Sequence, residues 1–399
     1  MEKNKNVPKL RFPEFTGEWE EKKLGEIAEF INGKAYKQEE LLVEGKYPVL
    51  RVGNFFSNSS WYYSDLELEE NKYCDNGDLL YAWSASFGPK IWVGNKTIYH
   101  YHIWKVLCSK YVQTKYLFYV LDEQTLRIKT NSSNGLGLLH ITKNTIENWI
   151  TVIPSLTEQT KIASFLTAVD EKLTQLKKKK TLLEQYKKGI MQKLFSQELR
   201  FKDDNNQDFP DWQEKTLGEL SNRIINKNKE NNLNVLTISA QNGLVSQLEF
   251  FNKSVSAKDV TGYYLLSRND FAYNKSYSNG YPMGAIKRLN RYEKGVVSTL
   301  YICFRNKPSF DNSFAEQYFE TGLQNIELEK VAQEGARNHG LLNIGVLDFF
   351  KIELTIPSLP EQQKIATFLS SIDEKISHSS AQIEKMEDWK KGLLQQMFV

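Results

Sequence analysis

The chain has 399 residues, of which 40% are hydrophobic and 25% are charged, and its formal net charge is +3. This composition supplies enough apolar side chains for folded cores, and the lack of any run of 18 apolar residues argues against a membrane-spanning helix. A charge so near balance does not by itself predict a nucleic-acid binder, so that function must be argued from where the charges lie. The length favours two or three domains.

The N-terminal residues 1–9 form a polar tail without the apolar segment of a secretory signal. The three cysteines, Cys74, Cys108 and Cys303, are too far apart in sequence to form a local cluster. We therefore expect a soluble protein of the reducing cytoplasm.

Residues 1–152 predict a first domain of mixed α and β structure. A short amphipathic helix before Gly33 is predicted from the spacing of Leu24, Ile27, Ala28 and Ile31. Strand-like runs follow as YPVLRV, KIWV and HIWKVL, and a helical stretch at about 112–128 precedes the polar loop TNSSNGLG. His100 and His102 lie in the alternating run TIYHYHIWK, where strand pairing explains them better than a metal site, since no cysteine lies near them.

Residues 153–196 predict a long helix. Ser155 and Glu158 fit an S-x-x-E capping box at its start. Apolar residues then recur at spacings of three and four, with Lys180 and Lys187 completing the heptad frame, which predicts a coiled-coil seam. The seam residues are Ile162, Leu166, Val169, Leu173, Leu176, Leu183, Ile190 and Leu194.

The second half of the chain repeats this design. Residues 153–195 align with residues 356–398 without a gap, and 20 of 43 positions are identical. The lead-in at 10–27 is answered by residues 199–220, so residues 197–355 predict a second domain with its lead-in, and residues 356–399 a second long helix. The second seam consists of Ile365, Leu369, Ile372, Ile376, Ile383, Met386, Leu393 and Met397.

The two seams predict that the long helices pair with each other, in an antiparallel arrangement because a whole domain separates them in sequence. The alternative is two ordinary amphipathic helices packed on separate domains. The four lysines at 177–180 also have two explanations, which are contact with DNA and a solvated helix face.

The regions between the repeated segments differ, and the second of them contains a basic loop. Residues 273–294, YNKSYSNGYPMGAIKRLNRYEK, carry five basic residues against one acidic residue, with four tyrosines among them. Basic side chains neutralise phosphates, while Asn, Ser, Tyr and Arg can hydrogen-bond to base edges. Residues 84–96, SASFGPKIWVGNK, are a weaker version in the first half. A charged, solvated hairpin would give the same pattern.

Catalytic motifs are missing from the sequence. There is no G-x-x-x-x-G-K-[ST] loop, no complete G-x-G-x-x-G and no N-P-P-F/Y tetrapeptide of the adenine methyltransferase type. We therefore expect a binding protein without catalytic residues, a metal site or a cofactor of its own.

The repeated segments resemble the specificity subunits of type I restriction-modification systems. The resemblance is carried by two copies of IPSL-x-EQ-x-KIA-x-FL-x-x-x-DEK, each ending in KKG and a final LF or MF, and each following a dissimilar region introduced by W-x-x-x-x-LGE. It covers almost the whole chain. It implies an α+β fold in which two pseudo-symmetric α/β target recognition domains are separated by two long antiparallel coiled-coil helices. Each recognition domain would read one half of a bipartite double-stranded DNA site, and the helices would set the spacer.

The resemblance also implies partners and cofactors. Two methyltransferase (modification) subunits would dock on the helices, and restriction subunits would translocate and cut DNA, so S-adenosylmethionine, ATP and magnesium would belong to partner subunits. A chain that recruits two copies of one enzyme needs two equivalent surfaces around a pseudo-two-fold axis, which an internal repeat supplies. The protein would then serve DNA methylation and defence against foreign DNA without being an enzyme by itself.

Candidate DNA-binding residues come from the two basic loops and from the polar loops before GLLHI and GLLNI. They are Ser84, Ser86, Lys90, Lys96 and Asn134 in the first domain, and Lys275, Tyr277, Asn279, Lys287, Arg288, Arg337 and Asn338 in the second. Two other functions stay open. One is a methyltransferase, against which the missing motifs argue, and the other is a coiled-coil adaptor, with or without DNA binding, that has no restriction-modification role.

Overall fold

The structure is a computed structural model that describes residues 6–84, 86–131, 141–251, 259–332 and 342–399. The chain divides into two compact units, a first unit of residues 1–178 with 380–399 and a second unit of residues 179–379. Each unit contains most of one predicted domain and parts of both long helices. No helix in the described ranges is both long enough and apolar enough to cross a membrane.

The first unit combines short strands with helices distributed along its length. Its strands are β1 (Glu20–Lys23), β2 (Ala28–Asn32), β3 (Tyr47–Leu50), β4 (Tyr62–Ser64), β5 (Tyr73–Cys74), β6 (Leu79–Ser84), β7 (Ser86–Ile91), β8 (Thr97–Tyr99), β9 (Ile103–Cys108) and β10 (Ile150–Ile153). Its helices are α1 (Leu24–Ile27), α2 (Val52–Phe56), α3 (Thr114–Asn131), α4 (Lys143–Glu147) and the first part of α5 (Leu156–Phe195), with 3-10 turns at Gln38–Glu40 and Glu70–Lys72.

An antiparallel sheet in the order β2-β9-β6-β7 forms the centre of the first unit. Successive side chains of a strand point to opposite faces, so Leu79 and Tyr81 of β6 share a core with Tyr116 of α3. Leu80 and Ala82 belong to a different core, on the side of the other four-stranded sheet, β4-β3-β8-β5. The central sheet is therefore covered on both faces.

The second unit repeats this plan. Its strands are β11 (Gln213–Thr216), β12 (Ser221–Ile224), β13 (Leu236–Ser239), β14 (Gly243–Ser246), β15 (Tyr264–Ser267), β16 (Phe271–Asn274), β17 (Ala285–Arg288), β18 (Lys294–Val297), β19 (Ile302–Asn306) and β20 (Glu353–Ile356). Its helices are α6 (Leu217–Leu220), α7 (Gln247–Phe251), α8 (Asn312–Thr321), α9 (Asn325–Val331), α10 (Val346–Lys351), the last part of α5 and the first part of α11 (Leu359–Met397).

The central sheet of the second unit has the order β12-β19-β16-β17, which is the same connectivity as β2-β9-β6-β7. Phe271 and Tyr273 pack on the side of α8, and Ala272 packs on the opposite side. The covering strands differ between the units, because the second unit has two separate two-stranded sheets, β13-β14 and β15-β18. The central sheet is therefore common to the two units, and the strands that cover it differ between them.

The helix predicted before Gly33 is wrong beyond its first turn. Helix α1 ends at Ile27, and β2 starts at Ala28 and pairs with β9. Ala28 and Phe30 are buried while Glu29 is exposed, which is a two-residue rather than a helical period. Gly33 then passes so close to the Tyr99 carbonyl oxygen that a Cβ atom would lie 2.1 Å from it. Pairing with a strand more than 70 residues away overrides the local pattern.

The other predicted elements of the first domain are present with shifted bounds. YPVLRV, KIWV and HIWKVL coincide with β3, the end of β7 and β9, and the predicted helix at 112–128 is α3. His100 and His102 lie between β8 and β9 rather than inside a strand. Within the described ranges, no group of three or more His, Cys, Asp and Glu side chains is arranged to hold a metal ion.

The two long helices run antiparallel within each unit. In the first unit, Lys390 Nζ lies 2.8 Å from Asp170 Oδ1, and Leu393 and Met397 share a core with Ile162. In the second unit, Lys187 Nζ lies 2.6 Å from Asp373 Oδ1, and Leu194 shares a core with Ile365 and Leu369. None of the predicted seam residues is exposed. The helices therefore pair through the faces that the heptad pattern indicates.

A buried ion pair holds each lead-in segment on the start of a long helix. Arg11 donates to Glu158 at 2.7 and 2.8 Å, and Arg200 donates to Glu361 at 3.1 and 2.8 Å. The two glutamates are only 2% and 0% exposed. Only half of the predicted capping box is therefore formed. The Ser155 hydroxyl accepts from the Glu158 N–H at 3.4 Å, but the Glu158 carboxylate pairs with Arg11.

We predict that Arg200→Ala lowers the free energy of unfolding by about 2–3 kcal/mol, because it leaves the buried Glu361 carboxylate without its cation. Urea unfolding followed by circular dichroism measures the change. The control is Lys202→Ala, since the ion pair of Lys202 with Asp208 is exposed on both sides and should contribute less than about 1 kcal/mol. Equal losses in the two variants would contradict a special role for the buried pair.

Candidate nucleic-acid interface

Most of the described candidate residues in both halves lie on one structural element, the edge hairpin of the central sheet, whereas Lys96 lies between β7 and β8. In the first unit, β6 and β7 pair from Leu79↔Ile91 up to Ser84↔Ser86. In the second unit, β16 and β17 pair from Phe271↔Arg288 up to Asn274↔Ala285, and residues 275–284 form a long connection. Because β7 and β17 are edge strands, each hairpin is constrained by sheet pairing on one side only. We call these two elements the recognition hairpins.

After the polar segments that are predicted to bind DNA, the described chain resumes beside the same hairpins. Asn134, Arg337 and Asn338 themselves lie outside the described residues. The first described residues after the loops are Ile141 and Leu342. Ile141 N donates to the Trp83 carbonyl oxygen at 3.3 Å, and Leu342 N donates to the Lys275 carbonyl oxygen at 2.9 Å. In each unit the described chain therefore resumes beside the closed end of the recognition hairpin.

In the first hairpin, Ser86 is the exposed candidate at the end of the hairpin. It is exposed, while its partner Ser84 is buried. The Lys90 ammonium donates to the Phe55 carbonyl oxygen at 2.8 Å and lies over the Phe55 ring. The Lys96 ammonium donates to both carboxylate oxygens of Glu70 at 2.9 Å, and this hydrogen bonding raises the Lys96 pKa. The two lysines are thus engaged by groups of their own unit.

In the second hairpin, three candidates lie on the connection between the strands. Tyr277 is 63% exposed, Asn279 is exposed and Lys275 is half-buried. The connection is closed by backbone hydrogen bonds between Ser278 and Tyr281. The connection thus carries an aromatic ring, an amide and an amine. These groups can contact bases and phosphates.

Lys287 and Arg288 lie on β17, and acidic side chains of α8 balance their charges. The Lys287 ammonium, which is only 8% exposed, pairs with Glu320 and donates to the Tyr281 hydroxyl at 3.0 Å. Arg288 donates to Glu316 at 3.2 Å and to the Ser313 hydroxyl at 3.1 Å. Burial raises the pKa of the Glu316 carboxyl, and Arg288 opposes that rise. These contacts attach the recognition hairpin to α8.

The sequence patterns did not single out an aromatic cluster beside the closed end of the first hairpin. The half-buried Trp83 stacks on Trp104 with ring centroids 5.6 Å apart, and its indole N–H donates to the Tyr101 carbonyl oxygen at 2.9 Å. His102 meets the Trp83 ring edge-on at 4.9 Å. Burial, with His102 and Arg51 nearby, lowers the pKa of His100 to about 4. The signal for this cluster in the sequence is the aromatic content of TIYHYHIWK.

Comparison with known proteins matches this architecture. The family model for the type I restriction modification DNA specificity domain matches residues 16–185 and 210–388. The type I restriction enzyme MjaVIII specificity subunit of Methanocaldococcus jannaschii is 26% identical over 414 residues, which cover 98% of this chain and 93% of that protein.

Two solved structures share the fold. The type-I restriction-modification S subunit from M. genitalium gives a TM-score of 0.61 at 16% identity and covers 98% of this chain and 99% of that chain. A chain from a structural study of complex assembly and conformational transition in a type I R-M system gives a TM-score of 0.53 at 13% identity, with coverages of 95% and 97%. These matches confirm the fold class and the resemblance predicted from the sequence.

We predict that Arg288→Met lowers the free energy of unfolding by about 1–2 kcal/mol at neutral pH, because it leaves Glu316 without its cation. With Arg288 gone, the already raised pKa of Glu316 rises further, so the folded state holds its proton more strongly. The loss should therefore shrink as the pH falls through the Glu316 pKa and the carboxyl becomes neutral. Thermal unfolding over a pH series measures this, with Tyr277→Ala as the control that should leave stability unchanged. A loss independent of pH would contradict the ion-pair explanation.

Proposed function

This chain belongs to the family of type I restriction-modification DNA specificity subunits, and we propose that it reads a bipartite double-stranded DNA site, one half-site with each recognition domain. The observation that carries the proposal is the repeated central sheet with a different recognition hairpin in each unit. A common central sheet with two different recognition hairpins suits the binding of two half-sites that differ in sequence. We propose residues 1–152 and 197–355 as the two recognition domains, and residues 153–196 and 356–399 as the two long-helix segments.

The partners follow from the same duplication. We propose that two methyltransferase subunits dock on equivalent surfaces of the repeated segments and that restriction subunits join this complex in the cytoplasm. S-adenosylmethionine, ATP and magnesium would be bound by those partners, and methyl transfer and cleavage would be their activities. The experiment is to express the chain with its cognate methyltransferase subunit and to map methylated adenines across a genome by single-molecule sequencing. A single bipartite motif is expected, and the absence of any defined motif would overturn the proposal.

Within the recognition hairpins we propose two roles for the candidate residues. Ser86, Lys275, Tyr277 and Asn279 would contact DNA directly, since they lie at or near the hairpin ends. The remaining described candidates would support the hairpins through their contacts within the unit; they are Ser84, Lys90, Lys96, Lys287 and Arg288. Asn134, Arg337 and Asn338 stay predictions, because they lie outside the described residues.

We predict that Lys275→Ala, Tyr277→Ala and Asn279→Ala each weaken DNA binding without lowering the melting temperature. A residue that contacts a base should cost about 1–3 kcal/mol and relax the motif at one position, and a residue that contacts a phosphate should reduce the salt slope by about one unit. DNA titrations of the complex over a salt series, together with motif mapping, separate the two cases. Unchanged affinity, salt slope and motif in all three variants would refute the assignment of the second hairpin.

We also predict that the long helices set the spacing between the half-sites. One heptad inserted into both helices, after Leu183 and after Met386, preserves the seam and lengthens each helix by about 10.5 Å, or about three base pairs. Three base pairs also rotate the DNA by nearly a third of a turn, at about 10.5 base pairs per turn, so activity should fall. Surviving methylation should occur at the same half-sites with a longer spacer. Full activity at the original spacing, read by motif mapping, would show that the helices do not set the distance.

A further inference from the structure

A repeated aspartate of the long helices accepts a hydrogen bond from each recognition domain. In the first unit, the Tyr119 hydroxyl of α3 donates to Asp170 Oδ2 at 2.8 Å, and it also contacts the Thr167 hydroxyl at 3.4 Å. In the second unit, the Gln317 side-chain amide of α8 donates to Asp373 Oδ2 at 2.8 Å. Asp170 and Asp373 are equivalent positions of α5 and α11, 203 residues apart. The two domains therefore make the same contact with different residues.

The same aspartates pair with a lysine of the opposite long helix. Lys390 Nζ lies 2.8 Å from Asp170 Oδ1, and Lys187 Nζ lies 2.6 Å from Asp373 Oδ1. The two lysine side chains are only 19% and 18% exposed. Each carboxylate thus joins three elements, which are both long helices and the helix behind the central sheet. We call each aspartate with its lysine an acceptor site.

The two donors lie at equivalent places in α3 and α8, and both are buried. Three residues before the donor of the first unit, the Tyr116 ring packs on Phe398 with ring centroids 5.7 Å apart. Three residues before the donor of the second unit, the Phe314 ring packs on Phe195 at 5.6 Å. Phe195 and Phe398 are again 203 residues apart. Each recognition domain therefore contacts the long helices through a ring contact and a hydrogen bond at the same places.

The ring contact and the hydrogen bond restrain a domain in different ways. Apolar packing is non-directional, so it holds a domain on the helices without fixing its angle. A hydrogen bond to an ionised acceptor is strong, and it weakens steeply as its geometry departs from linearity. The buried donor therefore supplies the directional part of the attachment.

We infer that Tyr119 and Gln317 are positioning residues for DNA recognition, because the hydrogen bond that each gives to its acceptor site fixes the angle at which its recognition domain is held on the long helices. The inference rests on the proposed function, under which both domains read one DNA at a defined spacing. Loss of one donor leaves every base-contacting residue in place but lets that domain rotate. The consequence is a relaxed spacer rather than an altered half-site.

The repeated helices contribute the whole acceptor site, so it is the same whichever recognition domain is attached. A hydroxyl satisfies it in the first unit and an amide in the second. It should accept any recognition domain whose helix behind the central sheet offers a buried donor at this place. It should reject a domain that puts a carboxylate there, because an ionised carboxylate has no donor and repels the aspartate.

The first test removes the Tyr119 hydroxyl alone. Tyr119→Phe is made in the full chain, which is expressed with its methyltransferase subunit, and methylation rates are measured on DNAs that carry the natural spacer or one base pair more or fewer. The preference of the wild-type complex for the natural spacer should fall about tenfold in the variant, as expected for the loss of a hydrogen bond to a charged group. The methylated half-site sequences should not change.

The matched control is Tyr116→Phe. It removes a buried hydroxyl of the same helix that has no hydrogen-bond partner among the described residues, so the spacer preference should stay that of the wild type. A purely structural role of Tyr119 would lower the rate on every DNA by the same factor and leave the ratio between spacers unchanged. The ratio therefore separates positioning from stability.

The second test reverses the hydrogen bond in the other unit. Gln317→Glu alone puts a second carboxylate against Asp373 and should relax the spacer preference. Gln317→Glu combined with Asp373→Asn again provides one donor and one acceptor and keeps a carboxylate for Lys187, so the preference should return.

Three results decide the matter. Tyr119→Phe and Gln317→Glu complexes that keep the wild-type spacer preference overturn the inference. A double variant that melts like the wild type but keeps the relaxed preference overturns it as well. A wild-type complex that methylates no bipartite motif overturns the proposed function instead.

Discussion

The arrangement of each unit depends on an ion pair between a buried glutamate at the start of its long helix and an arginine of its lead-in segment. Glu158 and Glu361 are almost completely removed from solvent, where a carboxylate needs a paired cation, and an arginine of the lead-in supplies it in each unit. The adjacent Gln159 and Gln362 complete the junction. Gln159 donates to the Pro154 carbonyl oxygen and Gln362 to the Pro357 carbonyl oxygen, both at 2.9 Å, and each accepts from a backbone N–H of its recognition domain. The repeated EQ pair therefore attaches both domains in the same way.

This fixed junction allows the edges of the central sheets to vary. The first recognition hairpin closes between Ser84 and Ser86, whereas the second has a connection of residues 275–284. The helix behind the sheet changes as well, from 18 residues in α3 to 10 residues in α8. An edge hairpin can change in length and composition because one of its sides has no pairing to preserve. Recognition of different sequences can thus be built on one frame.

The sequence predicted the features that repeat or that depend on near neighbours, and it missed those that depend on distant ones. The heptads of α5 and α11 can be recognised within one helix, and the duplication is visible by self-comparison. The strand at Ala28 was missed because its partner β9 lies far along the chain. Lys287 and Arg288 stay predicted DNA ligands, but the local sequence could not show that they pair with Glu320 and Glu316, which lie 33 and 28 residues away. Composition shows that a loop is basic, but only the fold shows which charges are already neutralised.

The ion pairs between the long helices have a consequence for how such a chain can arise. Lys187 pairs with Asp373 and Lys390 pairs with Asp170, and a shift of 203 residues converts one pair into the other. Each repeat therefore contains both members of the interaction, an aspartate in its first half and a lysine in its second. A segment of this kind is complementary to its own copy when the two run antiparallel. Tandem duplication of one ancestral gene segment would create a matched helix pair in a single event, with no compensating substitution required.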